Sequence, residues 1–208
     1  HGVFKITIPE PPRNFDRRDG ANIDIVLLLD VSSSMSDDRK LEHIKSATEF
    51  LLGELGKCDR ASIITFSETA KILLPLTPMD EAGIESAKAT TRGLTVETNT
   101  KLGLGLEKVA EVLNNRRHKS RRSCIFVMTD GEVEDSTSVF ISDFPNKLHN
   151  SGVIGTSVVN KVFTFGIGTE HNASLLANLA SCLSGSYQWL ENPEDIMQSI
   201  SLVLTTSA

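Results

Sequence analysis

The run "VLLLDVSSSMSDD", residues 26–38, passes from four aliphatic residues straight into Asp30. Ser32, Ser33, Ser34 and Ser36 follow, with Asp37 and Asp38 among and behind them. A carboxylate trailed by hydroxyls at alternate positions, Asp30-x-Ser32-x-Ser34, lets one tight loop present several oxygen donors together. A second carboxylate, Asp130, closes another apolar run, "SCIFVMTD" at 123–130. Two aspartates and several hydroxyls form an oxygen-only donor set. Such a set suits a hard divalent cation, Mg²⁺ first, with Mn²⁺ or Ca²⁺ as alternatives, rather than zinc. Two buried carboxylates would also repel each other without a cation between them. Serines and aspartates ahead of a helix serve equally as caps and turn formers. For the first run alone the two readings are evenly matched; the second strand-ending aspartate tips the balance toward a metal site.

The elements that must hold these residues are legible from periodicity. "IDIVLLLD" (23–30) reads as a buried strand, and 39–57 as a helix, with Leu41, Ile44, Thr48, Leu51, Leu52 and Leu55 near one face and Gly56 as the stop. "ASIITF" (61–66) is a second buried strand. "AKILLPL" (70–76) is an edge strand ended by Pro75 and Pro78. Helices are expected over 80–92, 101–116, about 140–151, 173–183 and 194–204, and further strands over 123–130, 161–168 and 186–190. Short apolar strands alternating with amphipathic helices predict an α/β fold: a doubly wound, Rossmann-like, mostly parallel sheet with helices on both faces and one short antiparallel edge strand. Ligands of such folds bind outside the carboxyl ends of the strands. Asp30, Asp130 and "GIGTE" all fall there, and the loop "TVETNTK" (95–101) leads into a helix on the same edge.

The chain has 208 residues, enough for one domain with a full core, so residues 1–22 are read as an N-terminal extension and 23–208 as the domain. A net charge of −6 gives nucleic acid or an anionic membrane no global attraction, and no apolar stretch approaches the length of a membrane span. Cys58, Cys124 and Cys182 are widely spaced, with no zinc pattern. Cys124 reads as a core residue, and a Cys58–Cys182 bridge stays open. The odd, sparse count leans toward a reducing, cytoplasmic compartment, although localisation itself is left undetermined.

"DIVLLLDVSSSM", "TNTKLGLGLEKVAEVLNNR" and "IFVMTDGEVED", in that order, resemble a von Willebrand factor type A domain carrying a metal-ion-dependent adhesion site, D-x-S-x-S … T … D. "DRASIITFSETAKILLPL" and "FTFGIGTEHNASLLANLASCLSGSYQWLENPEDI" are most similar to intracellular-type A domains of plants and other eukaryotes, some of them attached to RING fingers. The resemblance implies Asp30, Ser32, Ser34 and Asp130 as metal ligands. Its middle threonine, counted back from "GLEK" (105–108), falls on Thr100, with Thr98 as runner-up; Ser33 stands where the family often has Gly. It further implies a non-catalytic, metal-dependent protein-binding module. The hydroxyls and water-bridged carboxylates leave the cation's charge incompletely neutralised, so a Glu or Asp of a protein partner completes its shell. The expected setting is a monomeric domain within a larger protein, with no nucleic acid and no membrane insertion.

The enzymatic alternative is an aspartate-nucleophile phosphotransferase using Asp30. Its acid/base carboxylate is expected two residues on, where this chain has Ser32. A serine hydrolase lacks its G-x-S-x-G elbow, and His43, His118, His149 and His171 read as surface residues. "GIGTEH" lacks the dinucleotide glycine pattern. "RRHKSRR" (116–122) belongs on the opposite, amino edge, as a solvated loop by default or as a nuclear-import or acidic-partner patch.

Overall fold

A computed structural model of the chain describes residues 22–118, 121–130, 137–149, 160–168 and 171–190. The strands are β1 (Ile23–Asp30), β2 (Arg60–Phe66), β3 (Ala70–Pro78), β4 (Arg122–Thr129), β5 (Asn160–Ile167) and β6 (Ser186–Leu190). The helices are α1 (Lys40–Gly53), α2 (Glu81–Arg92), α3 (Leu102–Asn115), α4 (Thr137–His149) and α5 (Ala173–Ser181), with a 3-10 segment over Ser33–Arg39 ahead of α1. The N-terminal stretch, the loop just after Asp130 and the helix expected over 194–204 lie outside the described residues.

The six strands run in the order β3-β2-β1-β4-β5-β6, all neighbours pairing parallel except β2 and β3. All eight residues of β1 are buried, because helices cover both faces of the sheet. Alternate side chains serve the two layers. Ile25, Leu27 and Leu29 join Leu41, Ile44, Leu51 and Leu52 of α1, while Val26 and Leu28 join Leu102, Leu106 and Val109 of α3 and Phe144 of α4. The chain leaves β1 for β2 on one side and reaches β4 on the other, so the topological switch point falls between the carboxyl ends of β1 and β4.

Two glycines seat α3 tightly. A Cβ on Gly105 would come within 2.8 Å of Leu28 Cδ1 and 3.2 Å of Phe66 Cβ, and one on Gly103 within 2.6 Å of Phe140 Cδ2. The bare backbone of Gly105 lets α3 lie close against the sheet, and that of Gly103 lets it lie close against α4.

Two local expectations are revised, and one open alternative is closed. α1 ends at Gly53 rather than 57, because the last turn tightens through Glu54 N–H to Leu51 O and the Gly56 N–H turns to Asp59 Oδ2 at 2.9 Å. Pro75 does not end β3. It lies within this edge strand, where the β2–β3 register shifts, so its missing N–H costs little. No disulfide joins Cys58 to Cys182; all three cysteines are free, with Cys124 in the core as expected.

Candidate metal centre

Asp30 ends β1 fully buried, and both of its oxygens are held. Oδ1 accepts from the Ser32 N–H at 2.8 Å, and Oδ2 accepts from the Thr129 hydroxyl at 2.5 Å. The Val31 N–H donates to Phe66 O at 3.0 Å, which extends the β1–β2 pairing past Asp30 and fixes the start of the loop. Met35, completely buried, pins the far end, and its N–H returns to Ser32 O. Between these anchors Ser32 is buried and Ser34 half-buried, and their Oγ atoms lie 3.1 Å apart. Ser34 Oγ then donates to Asp130 Oδ1 at 2.8 Å. Ser33, where the family often has Gly, is not among the residues with positive φ, so serine fits there.

Asp130 is buried just beyond β4, and its second oxygen receives the Lys40 ammonium at 2.6 Å. Asp38 (φ 49°) and Arg39 (φ 57°) immediately precede Lys40 in the left-handed region, which costs roughly 1–2 kcal/mol per residue away from glycine. That turn starts α1 at Lys40, beside the carboxyl edge. Burial lowers the basicity of the Lys40 amine, but the hydrogen bond and charge of Asp130, with Asp37 and Asp38 behind, outweigh it, and the net direction is upward. At Asp30 burial dominates. It pushes the carboxyl up to about 6 against the Ser32 and Thr129 hydrogen bonds, and the charge of Asp130 adds to the rise.

The donor set fits a hard divalent cation. It contains carboxylate and hydroxyl oxygens only, gathered at one switch point, and a cationic ammonium already rests on one carboxylate. Among the described residues no group of three or more His, Cys, Asp or Glu is placed to hold a metal. This centre has two carboxylates and would depend on its hydroxyls. The structure places Asp30, Ser32, Ser34 and Asp130 together at this edge.

Thr100 is not joined to them by a hydrogen bond. Its loop is tied at both ends: Glu97 N–H donates to Val31 O at 2.6 Å and Lys101 N–H to Ser67 O at 2.9 Å. Glu97 also accepts from Ser67 Oγ and Lys71 Nζ, each at 2.6 Å, and these partners, Lys71 first, lower its pKa. Between the ties, Thr98 is exposed and donates to Glu68 at 3.3 Å, whereas Thr100 is half-buried and its hydroxyl has no partner among the described residues. Lys40, Thr129, Ser67 and Glu97 were not legible as site residues from sequence.

Beside the centre, His171 is half-buried rather than a plain surface residue. Its ring nitrogens lie 2.9 Å from Gly168 O and 2.5 Å from Tyr187 Oη. Gly168 O also accepts from Trp189 Nε1 at 2.7 Å. At the amino edge, "RRHKSRR" is not simply a solvated loop. Buried Asp24 receives Arg60 through two bonds of 2.9 and 2.7 Å, Arg121 Nε at 2.8 Å and Arg116 Nη1 at 3.3 Å. Arg116 and Arg121 therefore clamp the start of β1.

The family model described as the von Willebrand factor type A domain matches residues 25–132. The protein sll0103 of Synechocystis sp. is 30% identical over 94% of this chain and 44% of its own length. In Arabidopsis thaliana, the E3 ubiquitin-protein ligase WAV3 is 35% identical over 58% of this chain and 16% of that protein. WAVH1, also named an E3 ubiquitin-protein ligase, is 34% identical over 69% of this chain and 22% of that protein. The chain spans less than half the length of these relatives. Among solved structures, von Willebrand factor type A from Catenulispora acidiphila superposes with a TM-score of 0.73 at 20% identity, over 90% of this chain and 43% of that one. Proximal thread matrix protein 1 from the mussel byssus, with a zinc-occupied MIDAS motif, gives 0.71 at 18% identity, over 88% of this chain and 46% of that one. At these identities the structural likeness bears on the fold.

Proposed function

This chain belongs to the von Willebrand factor type A domain family, and we propose that it is a protein-docking module whose Asp30, Ser32, Ser34, Thr100 and Asp130 hold Mg²⁺. The observation that carries this reading is the continuous run of oxygens from Ser32 through Ser34 to Asp130, which bridges the ends of β1 and β4 beside buried Asp30. Bound there, Mg²⁺ would supply a hard positive charge with an exchangeable position for a carboxylate. The chain's own part is to align the donors. Thr129 and the Ser32 amide hold Asp30, Met35 anchors the serine loop, and Glu97 with Ser67 hold the threonine loop. The partner contact is a Glu or Asp, because an incompletely neutralised hard cation takes an anionic oxygen. The zinc described for the mussel protein supports a divalent ion in a motif of this type.

We propose no catalysis within this domain. Ser32, two residues after Asp30, cannot supply the proton transfer that a phosphoryl-aspartate route needs. The relatives named ligases extend far beyond the matched region, so docking here would serve activities held elsewhere in a longer chain. A pull-down from native extract in Mg²⁺ against EDTA tests the reading, with Asp30→Asn as the paired bait. Partners should be retained only by the wild type in Mg²⁺. Equal retention in EDTA would place binding on another surface.

A further inference from the structure

Lys40 joins the first turn of α1 to the candidate centre. Its ammonium lies 2.6 Å from Asp130 Oδ2, with the side chain only 16% exposed and Asp130 wholly enclosed. The other Asp130 oxygen is taken by Ser34, so Lys40 and the serine loop share one carboxylate. Lys40 also runs past the neighbouring rim, its Cε 3.5 Å from where a Cβ on Gly168 would stand. The adjacent charges, Asp37, Asp38 and Arg39, are exposed and screened by solvent, so they weigh less at the centre.

The formal charges can be counted from these contacts. Asp30 and Asp130 contribute two negative charges and Lys40 one positive charge, while Ser32, Ser34 and Thr100 are neutral. A dication would leave the centre with one net positive charge, which a single carboxylate cancels. Without Lys40 the two aspartates alone would neutralise the dication, and an incoming carboxylate would find no net charge.

We propose that Lys40 is the specificity-setting residue of the centre: it opposes divalent-cation binding and in return favours a monoanionic partner ligand. This rests on the docking reading above. It assigns Lys40 a role that a merely structural ion pair would not have, since removing its charge should move two affinities in opposite directions.

The test uses the whole chain and Mn²⁺ as probe, followed through the relaxation of water protons on the bound ion. Acetate is then titrated into the Mn²⁺-loaded protein, where it lowers relaxivity by displacing bound water; acetamide is the neutral control. Lys40→Met should bind Mn²⁺ about tenfold more tightly and acetate about tenfold more weakly than wild type. Lys40→Arg keeps the charge and should match wild type in both. Lys40→Gln serves if the Met variant does not fold, with melting curves in EDTA as the check. Unchanged or weaker Mn²⁺ binding by the neutral variants overturns the proposal, and so does tighter Mn²⁺ binding with unchanged acetate affinity. Absence of Mn²⁺ binding in wild type and neutral variants alike overturns the docking reading with it. Mn²⁺ binding by the neutral variants only overturns both, since the wild-type chain would then hold no ion for a carboxylate to reach.

Discussion

Thr129 donates its hydroxyl to Asp30 Oδ2, so the last residue of β4 holds the last residue of β1 across the switch point. Neither side chain reaches solvent. Thr129→Val keeps the shape and removes the donor. It should weaken Mg²⁺ binding by roughly 10–100-fold, as loss of a group orienting a metal ligand does. Removing a hydrogen bond to a charged group should also cost about 1.5–3 kcal/mol in EDTA. Calorimetric Mg²⁺ titration and urea unfolding measure the two effects; unaltered Mg²⁺ affinity would mean that Asp30 needs no such support.

The carboxyl of Asp30, pushed up by burial to about 6 from 3.8, sets a pH dependence. The folded chain holds this proton more tightly than the unfolded chain. Its contribution to the metal-free fold is therefore fully present below 3.8 and is lost as pH rises through about 6, a change on the order of 3 kcal/mol. A divalent ion competes with that proton, so the Mg²⁺-induced rise in Tm should be large at about pH 7.5 and small at about pH 5. Asp30→Asn should melt higher than wild type in EDTA at the upper pH and lose its response to Mg²⁺. A full Mg²⁺ response in that variant would sink the assignment of Asp30.

Thr98 and Thr100 are separated by what their hydroxyls do. Thr98 bonds Glu68 in solvent, while Thr100, half-buried, is uncommitted among the described residues. Thr100→Val should therefore weaken Mg²⁺ and partner binding clearly, and Thr98→Val should leave both near wild type. Paired titrations of the two variants decide it, and the reverse ranking would move the ligand to Thr98.

At the amino edge, Asp24→Asn would leave Arg60, Arg116 and Arg121 clustered without their shared carboxylate. Breaking a buried pair of this kind costs about 3–5 kcal/mol, so the variant should unfold at markedly lower urea. Arg121→Glu should also destabilise, since its guanidinium additionally binds Cys58 O at 2.6 Å. Mg²⁺ affinity of the folded variants should hardly change, the cluster lying at the opposite end of β1. Wild-type stability in Asp24→Asn would show that the cluster is only a surface network.

The sheet was legible because its strands are short apolar runs and its helices carry clear stripes, as in β1 and α3. Asp30 and Asp130 were legible because carboxylates ending such runs must sit at the carboxyl edge. Asp24 gave the same kind of signal at the other end of β1, yet its partners come from 36, 92 and 97 residues away, and no local pattern encodes that pairing. Lys40 was missed because a lysine beginning an amphipathic helix reads as solvated. It follows directly on the left-handed pair Asp38 and Arg39 and reaches Asp130, and neither residue advertises that backbone conformation in sequence.

The sequence contains one tryptophan, Trp189, and it is 52% exposed. Its indole N–H is fastened to Gly168 O, and the backbone at Gly168 runs alongside the Lys40 side chain that reaches Asp130. Emission excited at the red edge of protein absorbance therefore comes from a single fluorophore beside the carboxyl edge, with no second indole to dilute it. The chain carries its own optical label, and its spectrum can follow events at that edge without a dye or a tag.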